Sequence, residues 1–154
     1  MANKDKILAN AQKLLAKGQV GKAIAEYQKL VKAAPKDIRN RQKLAELLSR
    51  DKRIDEAIAE YKAVADHYTE TGFYLKAIAV FKQLQKIDPS RAEIYLQLAE
   101  LNEKQGLIGN ALTEYRNLVG FYEQQEMTSE LLGTLHKMLE LDPDNLNLRA
   151  KLTE

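Results

Sequence analysis

An all-α chain, an α-α superhelix of about eight to nine short antiparallel helices, is what the sequence predicts, and three observations predict it. Ala, Leu, Lys, Glu and Gln dominate the 154 residues while Pro 3 and Gly 7 are low counts, so the local preference is helical nearly throughout. Pro35, Pro89 and Pro143 stand 54 residues apart (89 − 35 and 143 − 89), the mark of an internal repeat. Apolar residues recur at three- and four-residue spacing, as in Leu44-Leu47-Leu48 and Ala57-Tyr61-Val64-Ala65-Tyr68, which is the spacing of an amphipathic helix.

Taken in order, this patterning predicts helices near 3–17, 20–33, 38–50, 54–70, 73–87, 91–105, 108–124 and 128–141, with the start of a ninth over 146–154. Gly18, Asp51-Lys52, Thr71-Gly72, Gly106 and Gln125-Glu126 separate neighbours at tight turns. The pairs Ala34-Pro35, Asp88-Pro89 and Asp142-Pro143 end three helices, because the residue before proline is pushed out of the helical region. Ser90-x-x-Glu93 reads as a capping box, and Asp37 and Asn145 as N-caps of the helices that follow them.

Laying residues 38–89 on 92–143 matches eleven of 52 positions, including Leu44/Leu98, Ala45/Ala99, Ala57/Ala111, Tyr61/Tyr115, Tyr68/Tyr122 and Pro89/Pro143. The matches cluster at helix-spaced apolar positions, so the repeat is a packing unit. The 34 residues from Lys4, with Ile7, Ala11, Leu14, Gly18, Ala23, Tyr27, Leu30 and Pro35, resemble a tetratricopeptide repeat. The window from Ala92 resembles it equally, through Tyr95, Leu98, Ala99, Gly106, Ala111, Tyr115 and Leu118, with Asn102 where the pattern has an aromatic. The window from Ile38 keeps Ala57 and Tyr61 but has Arg41 at the leading aromatic position.

Residues 58–71 also fit the first helix of a repeat that closes at Pro89 through Ala77 and Phe81, and 112–125 do the same for one that closes at Pro143. One helix thus serves two repeats, and the unit becomes three helices in 54 residues. A single repeat domain over 1–154 is expected, with units 4–37, 38–91 and 92–145, and the chain reads as part of a longer array. The resemblance implies repeat packing by Ala23, Tyr27, Pro35, Ala57, Tyr61, Ala77, Phe81, Pro89, Ala111, Tyr115 and Pro143. It also implies a concave partner-binding face with Arg39, Gln42, Lys43, Glu46, Arg50, Glu93, Gln97 and Glu100 as candidate contacts. Leu8, Gln12 and Gln97 break the lysine-asparagine-arginine set with which one subclass of the family clamps a C-terminal carboxylate.

Other functional classes lose their usual residues. Cys 0 excludes a thiolate metal site and a cysteine nucleophile, and His67 and His136 lie on different helices without a correlated partner, so no catalytic, metal or cofactor site is expected. Phosphate-binding glycine loops and calcium loops are absent from the sequence. No apolar run approaches a membrane span, and Met1-Ala2-Asn3-Lys4-Asp5-Lys6 opens an amphipathic helix where a signal peptide would need an apolar run, so the chain reads as cytoplasmic with no membrane insertion. The net charge of +2 is uneven: residues 1–53 carry fourteen Lys/Arg against five Asp/Glu, and the remainder carry ten against seventeen. Nucleic acid is not an expected partner, because the basic stretch has no aromatic platform for base stacking.

The sequence therefore predicts a non-enzymatic scaffold or adaptor that binds a protein or peptide. The alternatives are a self-assembling scaffold, a possible homo-oligomer joined positive end to negative end, and a regulatory domain of a larger protein.

Overall fold

In a computed structural model the described residues, 2–153, form nine α-helices with no strand among them: α1 (Ala2–Ala16), α2 (Val20–Ala33), α3 (Ile38–Arg50), α4 (Ile54–Glu70), α5 (Tyr74–Ile87), α6 (Ala92–Lys104), α7 (Ile108–Gln124), α8 (Thr128–Leu141) and α9 (Leu146–Thr153). Met1 and Glu154, the latter the last residue of the ninth helix expected from the sequence, lie outside the described residues. The 54-residue period governs the helices themselves: α2 and α5 repeat as α5 and α8, α3 repeats as α6, and α4 repeats as α7, with the same boundaries at each step.

The helices gather into two compact units, Met1–Ile87 and Asp88–Glu154, and the boundary falls at the Asp88-Pro89 turn. In each unit consecutive helices pack on one another, α1 through α5 in the first and α6 through α9 in the second. Ala11, Ala23, Ala45, Ala57, Ala77, Ala99 and Ala111 are fully buried, which lets neighbouring backbones approach. The N-terminal core joins Ala11, Ile24, Tyr27, Leu30, Leu44, Leu47 and Leu48, with Leu8 packed against it. The C-terminal core joins Ala111, Tyr115, Leu118, Leu135, Met138 and Leu148. Burying one such leucine contributes about 1.5–3 kcal/mol.

Five turns end their helices in the same way. Gly18, Lys52, Gly72, Gly106 and Glu126 hold φ of 75°, 61°, 82°, 72° and 56°, and the next N–H reaches back to a carbonyl five residues earlier, as Arg53 does to Leu48 at 2.9 Å. This is the Schellman closure, which satisfies carbonyls that the helix end leaves open. Three of the five use glycine, and Lys52 and Glu126 accept the same left-handed conformation at a cost.

The proline turns close differently. Each proline carbonyl accepts a hydrogen bond from the side chain six residues on: Arg41 to Pro35 at 3.3 Å, Tyr95 to Pro89 at 2.8 Å and Arg149 to Pro143 at 2.8 Å. Arg41 therefore does at its turn what the aromatic Tyr95 does at the next. Asn102, the other departure from the family pattern, is buried and donates its amide to the Leu98 carbonyl at 2.8 Å, so its polarity is satisfied within its own helix.

The caps correct part of the sequence reading. Asn145 accepts the N–H groups of Asn147 and Leu148 at 3.1 and 3.2 Å, the bonds of an N-cap. Asp37 holds the N-cap position of α3 without a side-chain cap bond. Ser90 forms no capping box: its hydroxyl donates to Asp88 Oδ1 at 2.6 Å, and Arg91 is the N-cap of α6. The Asp88 carboxylate is the stronger acceptor, and it gathers Ser90 and, at 2.7 Å, the Arg91 guanidinium. These bonds hold its carboxyl below the usual carboxylate range.

Candidate functional site

In the N-terminal unit a groove of about 320 Å³ runs between α3 and α5 over α4, lined by Gln42, Tyr61, Tyr68, Lys76, Ala79 and Gln83. In the C-terminal unit a groove of about 550 Å³ runs between α6 and α8 over α7. Its Leu96, Tyr115, Tyr122, Glu130, Gly133 and Lys137 stand 54 residues beyond Gln42, Tyr61, Tyr68, Lys76, Ala79 and Gln83, in that order. The two grooves are the same place in successive repeats. Antiparallel stacking produces them: alternate helices stand side by side, and the helix between them supplies a tyrosine floor.

Their chemistry differs. In the N-terminal groove the Lys76 ammonium lies 5.7 Å from the Tyr68 ring centroid and 5.2 Å from that of Phe73, within cation–π range. In the C-terminal groove the corresponding residue is Glu130. There the Tyr115 hydroxyl donates to Glu103 Oε2 at 3.3 Å, and Lys137 Nζ stands 3.5 Å from Glu103 Oε1 and 3.7 Å from Glu140 Oε2. Burial, and secondarily the Glu103 charge, pushes the Tyr115 phenol well above its usual value. Burial raises Tyr27, Tyr61 and Tyr122 as well.

Of the residues singled out in the sequence, Arg39, Glu46 and Arg50 on α3 and Glu93, Gln97 and Glu100 on α6 are exposed, while Gln42 and Lys43 are half-buried. Gln42 lines the first groove and Glu100 the second. The Arg39 side chain is 94% exposed, with Asp37 3.9 Å away, and Lys43 stands 3.9 Å from Glu46. Tyr27, Tyr61 and Tyr115 are buried, whereas Tyr68 and Tyr122, read as packing residues, are half-buried and line the grooves. Lys76, Glu130 and Lys137 were not legible as groove residues, although the 54-residue offset pairs Lys76 with Glu130.

A third cleft, about 640 Å³, lies among α7, α8 and α9, with Leu112, Val119, Met138 and Leu148 below and Arg116 and Lys151 among its polar residues. Lys151 closes on Glu123 at 2.9 Å. Among the described residues no group of three or more His, Asp or Glu is placed to hold a metal ion, and no helix is long and apolar enough to cross a membrane. Aromatic floors with charged rims suit the docking of a polypeptide.

The family described as Tetratricopeptide repeat matches the chain at residues 14–72 and, in a second form, at residues 65–126. No curated protein matches the sequence. Solved structures do. A thermophilic TPR protein of Thermus thermophilus is 18% identical, with 97% of each chain covered and a TM-score of 0.36. A tetratricopeptide repeat protein from Parabacteroides merdae is 13% identical over 99% of this chain and 72% of its own, with a TM-score of 0.41. YrrB, a TPR protein with an unusual peptide-binding site, is 12% identical over 96% of this chain and 91% of its own, with a TM-score of 0.39.

Proposed function

Because the chain belongs to the tetratricopeptide repeat family, whose repeats mediate protein–protein interaction, we propose that it is a non-enzymatic adaptor that captures an extended acidic segment of a partner protein in its N-terminal unit. The supporting observation is the α3–α5 groove, which has the tyrosines Tyr61 and Tyr68 along it and Lys76 among its lining residues. The exposed cations Arg39 and Arg50 and the half-buried Lys43 stand on α3. An acidic segment would gain charge-assisted contacts at the rim and stack its apolar side chains on the tyrosines.

Rim charges govern encounter rate and salt dependence more than final affinity. A fluorescein-labelled peptide alternating Glu with Leu and Phe, titrated by fluorescence anisotropy, tests the reading. Binding should weaken as salt rises, and replacement of Arg39, Lys43 and Arg50 by Glu should raise Kd roughly tenfold or more, about 1.4 kcal/mol. Equal affinity for the original chain and the triple variant would remove the basic α3 face, and with it the capture of an acidic segment, from the account.

A further inference from the structure

We propose that the α6–α8 groove of the C-terminal unit is a docking site for a second copy of this chain, which presents the basic α3 face of its own N-terminal unit. The proposal extends the reading above, since it makes another copy one of the acidic partners that α3 recognises. Charge complementarity identifies the occupant. Residues 1–87 hold eighteen Lys/Arg and ten Asp/Glu, a net +8, while residues 88–154 hold six and twelve, a net −6. A chain that is nearly neutral as a whole is thus strongly polarised between its two compact units.

The polarity reaches the grooves. At equivalent positions the N-terminal groove has Lys76 and the C-terminal groove has Glu130, so the first repels a cationic segment and the second attracts one. Glu100 and Glu130 are exposed carboxylates of the α6–α8 groove, and Leu96, 37% exposed, and Tyr122 supply apolar area beside them. Lys104 and Lys137 also line the groove, and Lys137 is already held by Glu103 and Glu140; with three carboxylates against two lysines the lining stays net negative. On the other side of the contact, Arg39, Lys43 and Arg50 fall at intervals of four and seven residues, which puts all three on one face of α3; Glu46, 3.9 Å from Lys43, shares that face and leaves it net positive.

Such a contact joins two different surfaces. It leaves a free groove at one end and a free basic face at the other, so association continues beyond a dimer unless the geometry closes a ring.

Light scattering and sedimentation velocity on the full chain test this. At low ionic strength the mass should rise with concentration above the 17.5 kDa of one chain, and it should return to 17.5 kDa at about 1 M salt, where the screening length falls to about 3 Å. Two charge-reversed variants, Arg39→Glu/Lys43→Glu/Arg50→Glu and Glu100→Lys/Glu130→Lys, should each stay monomeric alone. Mixed, they should associate, because each then carries the charge that the other lacks. Circular dichroism shows whether each variant keeps its helices, and the mixing result does not depend on either variant matching the original stability. A chain that stays at 17.5 kDa at every salt concentration, or variants that associate alone, would overturn the proposal. If that monomer still binds the acidic peptide, the capture reading stands without self-association; if association persists while the peptide fails to bind, the capture reading fails instead.

Discussion

The Tyr95 hydroxyl donates to the Pro89 carbonyl at 2.8 Å, so that a side chain in the first turn of α6 latches the turn that precedes it. Arg41 and Arg149 make the same bond to Pro35 and Pro143. Tyr95→Phe should lower stability by about 1 kcal/mol, the net worth of one hydrogen bond. Tyr95→Arg should restore most of that loss, because the guanidinium reaches the equivalent carbonyl in both neighbouring repeats. Urea unfolding of the two variants checks the latch, and equal stability for both would count against it.

Stability should fall on the alkaline side. Tyr27, Tyr61, Tyr115 and Tyr122 all titrate above their ordinary value of 10.0 in the folded chain, chiefly because burial disfavours the phenolate. A group whose native pKa is raised binds more protons folded than unfolded once pH exceeds the unfolded value. Its contribution is therefore complete below about pH 10 and is lost as pH climbs toward the native value. Denaturant midpoints measured on the two sides of the unfolded value, at about pH 8 and about pH 11, should differ in that direction, and Tyr115→Phe should make the decline shallower.

Two turns carry avoidable strain. Lys52 and Glu126 sit at φ of 61° and 56°, where a side chain costs about 1–2 kcal/mol relative to the right-handed helix. Lys52→Gly and Glu126→Gly should each raise stability by about 0.5–1 kcal/mol, the strain relief being partly offset by the extra freedom of glycine in the unfolded chain. Gly72→Ala should cost about 1 kcal/mol through its φ of 82° alone, since an added Cβ would meet nothing within 4 Å. Thermal unfolding followed by circular dichroism reads all three.

The two polar residues that follow prolines at helix starts should behave differently. Asn145→Ala removes the acceptor for the N–H groups of Asn147 and Leu148 and should cost about 1 kcal/mol, seen as faster amide exchange at the start of α9. Ser90→Ala uncaps no helix, because its hydroxyl is spent on Asp88, and amide exchange in α6 should be unchanged.

Packing gives the largest expected effects. Leu118 is fully buried in the C-terminal core, and Leu118→Ala should cost about 2–5 kcal/mol through lost burial and the cavity left behind. Ala111 is equally buried, and Ala111→Leu should cost about 1–3 kcal/mol by forcing the adjacent helices apart.

The sequence by itself determined the helices. Periodic apolar residues, pre-proline breaks and single glycines at turns act over a few neighbouring residues, and the 54-residue spacing of Pro35, Pro89 and Pro143 carried over to helix boundaries that repeat residue for residue. The burial of Ala23, Ala57, Ala111 and Tyr115 followed from their places on those helices. Three things were decided only in the tertiary structure: that Ser90 turns to Asp88 instead of capping α6, that the Arg41 side chain takes over the work of an aromatic, and that Lys76 and Glu130 line equivalent grooves. The reason is physical. A hydroxyl or guanidinium chooses among all the acceptors that folding brings within reach, and a groove exists only where two helices that are not consecutive in the chain stand side by side.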